Sequence, residues 1–498
     1  MLSKIIGGAA EGINGYLVSV EADISNGFPG FEIVGLPGSA VKESKERVRT
    51  AIKNSGYELP PKRITINLAP ADTKKEGPAF DLPIALGLLS NMGLVSKDFI
   101  KNCLVIGELS LDGGVNHVNG ILSIVYGAYT KGIKKCIIPA SNADEAALVE
   151  GMEVYPIDNI KQIIGNASLS KHTIDIKKVF NSGDNSNQLD FSDVKGQEFV
   201  KRAMEIAAAG YHNILLTGHP GSGKTMLARR LPTILPDLTF DESIEITKIY
   251  SVAGLLENGK SMITKRPFRS PHHTVSAAAL TGGSRIPKPG EISLSHYGVL
   301  FLDELPEFNR NVLESLRQPM EDGHITISRV NATVVYPSKF MLVAAMNPCP
   351  CGYLGDSRCH CTTSEIAAYK KRISGPLLDR IDIYADTPDV AYSDLSKKSK
   401  AESSSEIKKR VSAARDIQLI RYKNEGGYFN SQLSSSQTDK YCILDKEASK
   451  LAETAFNSLN LSARSYHKII KVARTIADLE RSDIIRVNHI AEAMQYRP

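Results

Sequence analysis

Long apolar runs are missing from this 498-residue chain. No stretch of about 18 consecutive apolar residues occurs, which excludes an ordinary membrane-spanning helix. The first residues, Met1-Leu2-Ser3-Lys4, pass straight into a glycine-rich strand pattern. They lack the charged, apolar and cleavage regions of a signal peptide, so a cytoplasmic protein without a membrane partner is expected. A strong charge of either sign is missing as well. The net charge of +5 and isoelectric point of about 8.6 permit nucleic-acid binding without arguing for it, so any basic surface has to be local. Tryptophan is absent, and that excludes nothing. Hydrophobic residues make up 42% and charged residues 23%, as in ordinary globular protein, and the length allows about three domains. Of only 7 cysteines, four fall between Cys349 and Cys361. In a reducing compartment such clustering favours a metal over disulfides.

What is present starts with Gly218-His219-Pro220-Gly221-Ser222-Gly223-Lys224-Thr225. The apolar run Asn213 to Thr217 before it reads as a buried strand. Met226 to Leu231 after it reads as the start of a helix. In that context the pattern G-x-x-x-x-G-K-[ST] is a phosphate-binding loop. Its backbone N–H groups turn inward on an anion, and the helix adds its positive end. Lys224 then reaches the outer phosphates of ATP and Thr225 holds Mg²⁺. Tyr297 to Leu302 is a second apolar strand, and it ends in Asp303-Glu304, a Walker B arrangement. Asp303 is expected to support Mg²⁺ and Glu304 to polarise the attacking water. The plainer reading is a core strand ending in a solvated acidic turn. A third apolar strand, Lys339 to Met346, ends at Asn347, which can orient that water or simply open an Asn-Pro turn.

Strand and helix patterns alternate through residues 1–170, so an α/β domain is expected there. Phe31-Glu32-Ile33-Val34-Gly35-Leu36-Pro37, Val41 to Arg49 and Asn67-Leu68-Ala69-Pro70-Ala71-Asp72 resemble the N-terminal domain of the YifB/ComM family. These are magnesium-chelatase-like AAA+ ATPases of bacteria. The resemblance implies an α/β fold: a P-loop AAA+ core with a helical lid, preceded by a Lon-protease-like, S5-type α/β domain. Lon carries its nucleophilic serine in a Gly-Pro-Ser-Ala-Gly context, and here Gly77-Pro78-Ala79-Phe80-Asp81 has alanine at that position. Lon's catalytic lysine follows a Gly-Gly-Leu turn, and here Asn119-Gly120-Ile121-Leu122 has leucine. A Ser–Lys dyad needs both a hydroxyl and an amine. No peptidase activity is expected.

The same resemblance covers nearly the whole chain and implies further site residues. Gly196-Gln197 resembles the entry to an AAA+ core. Asn347 stands at the sensor-1 position. Arg380, in Ser374 to Asp382, matches the arginine finger that acts on a neighbouring subunit's nucleotide; Arg372 is the other candidate, and a surface ion pair with Asp379 or Asp382 is the plain alternative. Arg464 matches the sensor-2 arginine of the lid, in a helix running to about Leu479 that Ser462 caps. Arg474 is expected to be structural. The segment 237–296 resembles the helix-2 insert of chelatases and MCM helicases. Residues 325–336 alternate as a hairpin and sit where that clade has its pre-sensor-1 hairpin. Both loops would face the pore of a hexamer. Arg266, Arg269, His272, Arg285 and Arg329 are then candidate DNA phosphate contacts, with packing at the subunit interface or nucleotide site as the alternative.

Cys349-Pro350-Cys351 and Cys359-His360-Cys361 can close a tetrahedral zinc site. Free thiols or another metal stay open, because C-x-C is less usual than C-x-x-C. Such a metal would not be the hydrolytic one. The expected layout is a Lon-like domain at 1–170, a linker at 171–190, the AAA+ core at 191–391 and a helical lid at 392–498. The family implies an ATP-hydrolysing ring motor acting on branched or single-stranded DNA, a branch-migration helicase for recombination intermediates during uptake of foreign DNA. A chelatase-type motor that remodels a protein partner is the rival.

Overall fold

The computed structural model describes residues 2–164, 169–181, 189–257, 259–283, 287–329, 332–389, 401–426 and 428–497, without the side chains of Arg329 and Ala332. The chain divides into two compact units. One gathers residues 1–183, 240–264 and 328–336; the other gathers 184–239, 265–327 and 337–498. Among the described residues no helix is long and apolar enough to cross a membrane.

The first unit is built on a seven-stranded mixed sheet. Its strands are β1 (Leu2–Glu11), β2 (Asn14–Ser25), β3 (Gly30–Val34), β4 (Arg63–Ala69), β5 (Cys103–Val105), β8 (Lys135–Pro139) and β9 (Glu153–Ile157), in the order β3-β4-β2-β1-β5-β8-β9. The short pair β6 (Glu108–Leu109) and β7 (Val115–Asn116) stands apart. Successive side chains of a strand point to opposite faces, and this sheet is covered on both. Cys103, Val105 and Ile137 enter one apolar cluster with the helices Ser39–Asn54 and Asp81–Asn91. Leu104, Ile106, Cys136 and Ile138 enter another with the helix Ile121–Thr130. The first two helices are stapled by buried Asp81, which accepts from the Ser44 hydroxyl, from Arg47 Nε at 2.6 Å and from Leu109 N at 3.2 Å.

The segment 240–264 belongs to this unit's core. Its helix Phe240–Ala253 contributes Ile244, and Met262 follows, both in the cluster around Ile121–Thr130. Phe240 meets Phe180 edge-on at 6.0 Å. The buried carboxylate of Glu145 accepts from Leu122 N at 3.0 Å and from the Ser251 hydroxyl, whose oxygen accepts from Gly120 N at 2.9 Å. Burial pushes the Glu145 carboxyl up to about 6.

The second unit holds a five-stranded, all-parallel sheet. Its strands are β10 (Ile214–Gly218), β11 (Phe268–Arg269), β12 (Val299–Leu302), β15 (Met341–Met346) and β16 (Ile383–Thr387), in the order β11-β12-β15-β10-β16. Val299 to Leu302 and Met341 to Met346 are buried throughout, as strands covered on both faces must be. The expected hairpin is present as β13 (His324–Arg329) and β14 (Ala332–Pro337), of which residues 328–336 belong to the first unit. The C-terminal part is helical: Ser404–Arg421, Lys446–Ser458, Ala463–Leu479 and Val487–Gln495. It shares one apolar cluster with the helix Glu198–Gly210 and the sheet. Ser462 caps Ala463–Leu479 by accepting from Ser465 N at 3.1 Å. Fully buried Arg474 serves Asp478 Oδ1 at 3.1 Å and the carbonyl of Asp483 at 2.8 Å.

Candidate functional site

Three neighbouring strands, β12, β15 and β10, end at one edge of the second sheet. Asp303 follows Leu302, Asn347 follows Met346, and the phosphate loop follows Gly218. Ligands of open parallel sheets bind outside this carboxyl edge. The loop turns into the helix Lys224–Arg230 at Gly223, whose φ of +87° suits a residue without Cβ.

Side chains converge at that edge. Lys224 Nζ, in a largely buried side chain, donates to the carbonyls of Gly218 at 2.7 Å and His219 at 2.8 Å and to Asn347 Oδ1 at 3.3 Å. Burial lowers its pKa, with Asp303, Asp389 and Glu304 acting the other way. The Thr225 hydroxyl donates to Asp303 Oδ2 at 2.7 Å, and Asp303 Oδ1 accepts from Glu304 N at 3.0 Å. A hydroxyl and a carboxylate at one point are the hard oxygen donors that fit Mg²⁺. Glu304 is exposed and holds φ at +53°, a sparsely populated conformation for a non-glycine residue. His273 Nδ1 lies 3.5 Å from its Oε2. Gln197 braces the loop from outside, donating to the Ser222 carbonyl at 2.7 Å and the Pro388 carbonyl at 3.1 Å. His219 Nδ1 lies 3.0 Å from Asp389, whose hydrogen bond raises the imidazole pKa.

Arg380 and Arg464 do not reach their own chain's phosphate loop. Both guanidiniums meet one carboxylate oxygen, Glu321 Oε1, Arg464 at 2.8 Å. Arg380 also donates to the Pro376 carbonyl at 2.5 Å. The two arginines hold Glu321 below the usual carboxylate range, Arg380 more strongly. The ion pair weighed for Arg380 with Asp379 or Asp382 is thus replaced by one with Glu321, nearly 60 residues earlier. Arg372 is paired with Glu307 at 2.8 Å.

Three of the expected DNA contacts, Arg266, Arg269 and His272, lie among the described residues. Arg266 spends its guanidinium on the carbonyls of Pro236 at 2.6 Å, Tyr297 at 2.7 Å and Asp237 at 3.2 Å. Arg269 grips Glu291 through two bonds of 2.6 and 2.7 Å. These two arginines are therefore engaged inside their own unit. His272 is exposed, with Nδ1 2.9 Å from the Thr274 hydroxyl. Arg285 and the Arg329 side chain lie outside the described residues.

The four cysteines do come together. The sulfurs of Cys349, Cys351, Cys359 and Cys361 all lie within 4.8 Å of one another. Cys103, Cys136 and Cys442 are buried apart from them, and burial pushes the Cys103 and Cys442 thiols up to about 12. In the first unit, Ala79 and Leu122 share one apolar cluster, with no hydroxyl or amine at either position.

Sequence comparison supplies the family. The family described as subunit ChlI of Mg-chelatase matches residues 20–142, magnesium chelatase subunit ChlI matches 190–395, and its C-terminal part matches 401–497. Near-full-length relatives decide the membership. The chain is 44% identical over 490 residues to the uncharacterized protein YifB of Escherichia coli K12, covering 98% of this chain and 96% of that one. It is 43% identical over 503 residues to competence protein ComM of Haemophilus influenzae, covering 100% and 97%. The chain belongs to the YifB/ComM family of magnesium-chelatase-like proteins. Its core is of the AAA+ ATPase type, as the parallel sheet and helical C-terminal region agree. The magnesium-chelatase 67 kDa subunit of Chlorobaculum parvum is 26% identical over 163 residues, covering 32% of this chain and 23% of that one.

Proposed function

We propose that this YifB/ComM-family protein hydrolyses ATP and uses it to drive a ring, most simply a hexamer, along DNA. The observation that carries the ATP reading is the convergence of Lys224, Thr225, Asp303 and Asn347 at one sheet edge. Lys224 exchanges the loop's own carbonyls for the β- and γ-phosphates of the incoming nucleotide. Thr225 and Asp303 would hold Mg²⁺, which when bound neutralises charge on the phosphate oxygens. Glu304 polarises the attacking water, and Asn347 orients it. His273 stands beside Glu304, 3.5 Å from its Oε2.

Arg380 acts on a neighbouring subunit's nucleotide, and Arg464 contacts the γ-phosphate from the lid. Both guanidiniums rest on Glu321 Oε1, an anionic partner that phosphate can replace. A site completed in this way requires a ring. A structural Zn²⁺ in the four-cysteine cluster is part of this reading.

The DNA reading is supported by near-full-length similarity to a protein named for competence. In its specific form it is branch migration of recombination intermediates during uptake of foreign DNA. A chelatase-type motor acting on a protein partner is the rival, supported by the shorter match to the 67 kDa chelatase subunit. An ATP-dependent displacement assay on four-way, forked and plain duplex DNA separates them. Displacement of branched substrates, lost in Glu304→Gln, is the expected result. No binding to any of these DNAs with ATP present would favour the protein-remodelling motor.

A further inference from the structure

The four-cysteine loop hangs between two parts of the candidate ATP site. On one side it grows from Asn347, which accepts from Lys224 Nζ, and its first sulfur, on buried Cys349, comes two residues later. On the other side it lies on the phosphate loop. Gly352 holds φ at +86°, and a Cβ there would stand 2.6 Å from Pro220 Cδ and 2.7 Å from its Cγ. The next ring, Tyr353, lies 5.8 Å from the His219 ring. Arg358 covers the far face of this turn, 4.2 Å over the Tyr353 ring and paired with Asp356 at 2.9 Å.

Between Pro350 and Cys361 the backbone forms turns only, with no helix or strand, and apart from Gly352 these residues are half-buried or exposed. A segment of this kind has no apolar core and few backbone bonds with which to hold one shape. The sulfur cluster is what closes it. The sulfurs stand 3.4 Å apart for Cys349–Cys351, 3.7 Å for Cys351–Cys359 and 3.9 Å for Cys349–Cys359. A disulfide needs about 2.05 Å. Four thiolates at about 2.3 Å from one Zn²⁺ stand about 3.8 Å apart along the edges of the tetrahedron, and the cluster has that size.

We propose that Zn²⁺ in this cluster is the brace of the phosphate loop: the metal fixes the turn at Gly352 against Pro220, so nucleotide affinity depends on zinc occupancy. The inference rests on the zinc and ATP readings above and adds the coupling between them. Metal binding free energy is folding free energy for the segment that supplies the ligands. Here that segment ends on Pro220 and His219 and begins at the partner of Lys224. Without metal, the loop that must receive phosphate loses its outer wall and pays more ordering entropy on binding.

The test uses the full-length protein with a fluorescent ATP analogue at fixed Mg²⁺. Zinc content is measured by mass spectrometry, the metal is stripped with a chelator that prefers Zn²⁺ over Mg²⁺, and one equivalent of Zn²⁺ is then restored. One zinc per chain, nucleotide binding weakened by about tenfold or more on stripping, and recovery on restoration are expected. Gly352→Val supplies a second arm, because it keeps all four thiols and presses a side chain onto Pro220. It should retain zinc and still bind nucleotide about tenfold more weakly. A chain without zinc overturns the metal reading and leaves the ATP site standing. Zinc present, with affinity unchanged by stripping and by Gly352→Val, overturns the coupling alone. No nucleotide binding by the zinc-loaded wild type overturns the ATP reading itself.

Discussion

The two units treat comparable turns in opposite ways. At the edge of the second sheet, strand ends deliver lysine, threonine, aspartate and asparagine to one point, and each side chain has a polar partner there. In the first unit, Ala79 and Leu122, found where the resemblance to Lon expects a serine and a lysine, enter an apolar cluster. The first arrangement is costly for stability, since Lys224 is largely buried and Glu304 is strained. The second is ordinary core. Polar groups held at such cost point to chemistry.

Mutations should separate the two regions. Lys224→Ala should weaken ATP binding by about two orders of magnitude or more in calorimetry, since it removes a charge placed for phosphate. Unchanged affinity would remove the distinction between the units. Glu304→Gln should bind ATP normally while steady-state turnover falls about 10²-fold or more. Leu122→Ala should do the reverse. It should destabilise the first unit by about 2–5 kcal/mol in denaturant unfolding and leave nucleotide affinity intact. A loss of ATP binding in folded Leu122→Ala protein would show that the first unit takes part in the site.

The smallest effect concerns Glu145. Its carboxyl lies at about 6 in the fold against an ordinary 4.5. Between those values the folded chain holds the proton more tightly than the unfolded chain. Stability from this group is therefore full below about 4.5, falls as pH rises to about 6, and is flat above. The change is about 2 kcal/mol at most. Glu145→Gln should remove that slope from the pH dependence of unfolding, and a persistent slope would assign it elsewhere.

Much of this was legible in the chain. The phosphate loop, Asp303-Glu304 and Asn347 each sit where an apolar strand ends, and local patterning finds such points. The helices Ser404–Arg421, Lys446–Ser458 and Ala463–Leu479 begin at the caps Ser403, Asp445 and Ser462, a local signal of a helix start. The grouping of cysteines followed from spacing alone. Partnerships across long separations were not legible. Glu321 carries no motif, yet it receives both Arg380 and Arg464. Ser251 and Glu145 are 106 residues apart. The helix Phe240–Ala253 falls within the segment 237–296, and nothing in that stretch of sequence says which unit's core it enters. For the same reason the partners of Arg266 and Arg269 were not legible. Their acceptors are backbone carbonyls and one distant glutamate, which no residue pattern announces.

The central claim is that the phosphate loop is one wall of a site finished by a neighbour's Arg380. Mixing inactive Arg380→Ala chains with inactive Glu304→Gln chains tests it most directly, because some interfaces of the mixture then pair an intact Glu304 with an intact Arg380. The account predicts that ATPase activity reappears in the mixture and peaks near equal proportions. A mixture as inactive as its two components, with assembly intact, would contradict it.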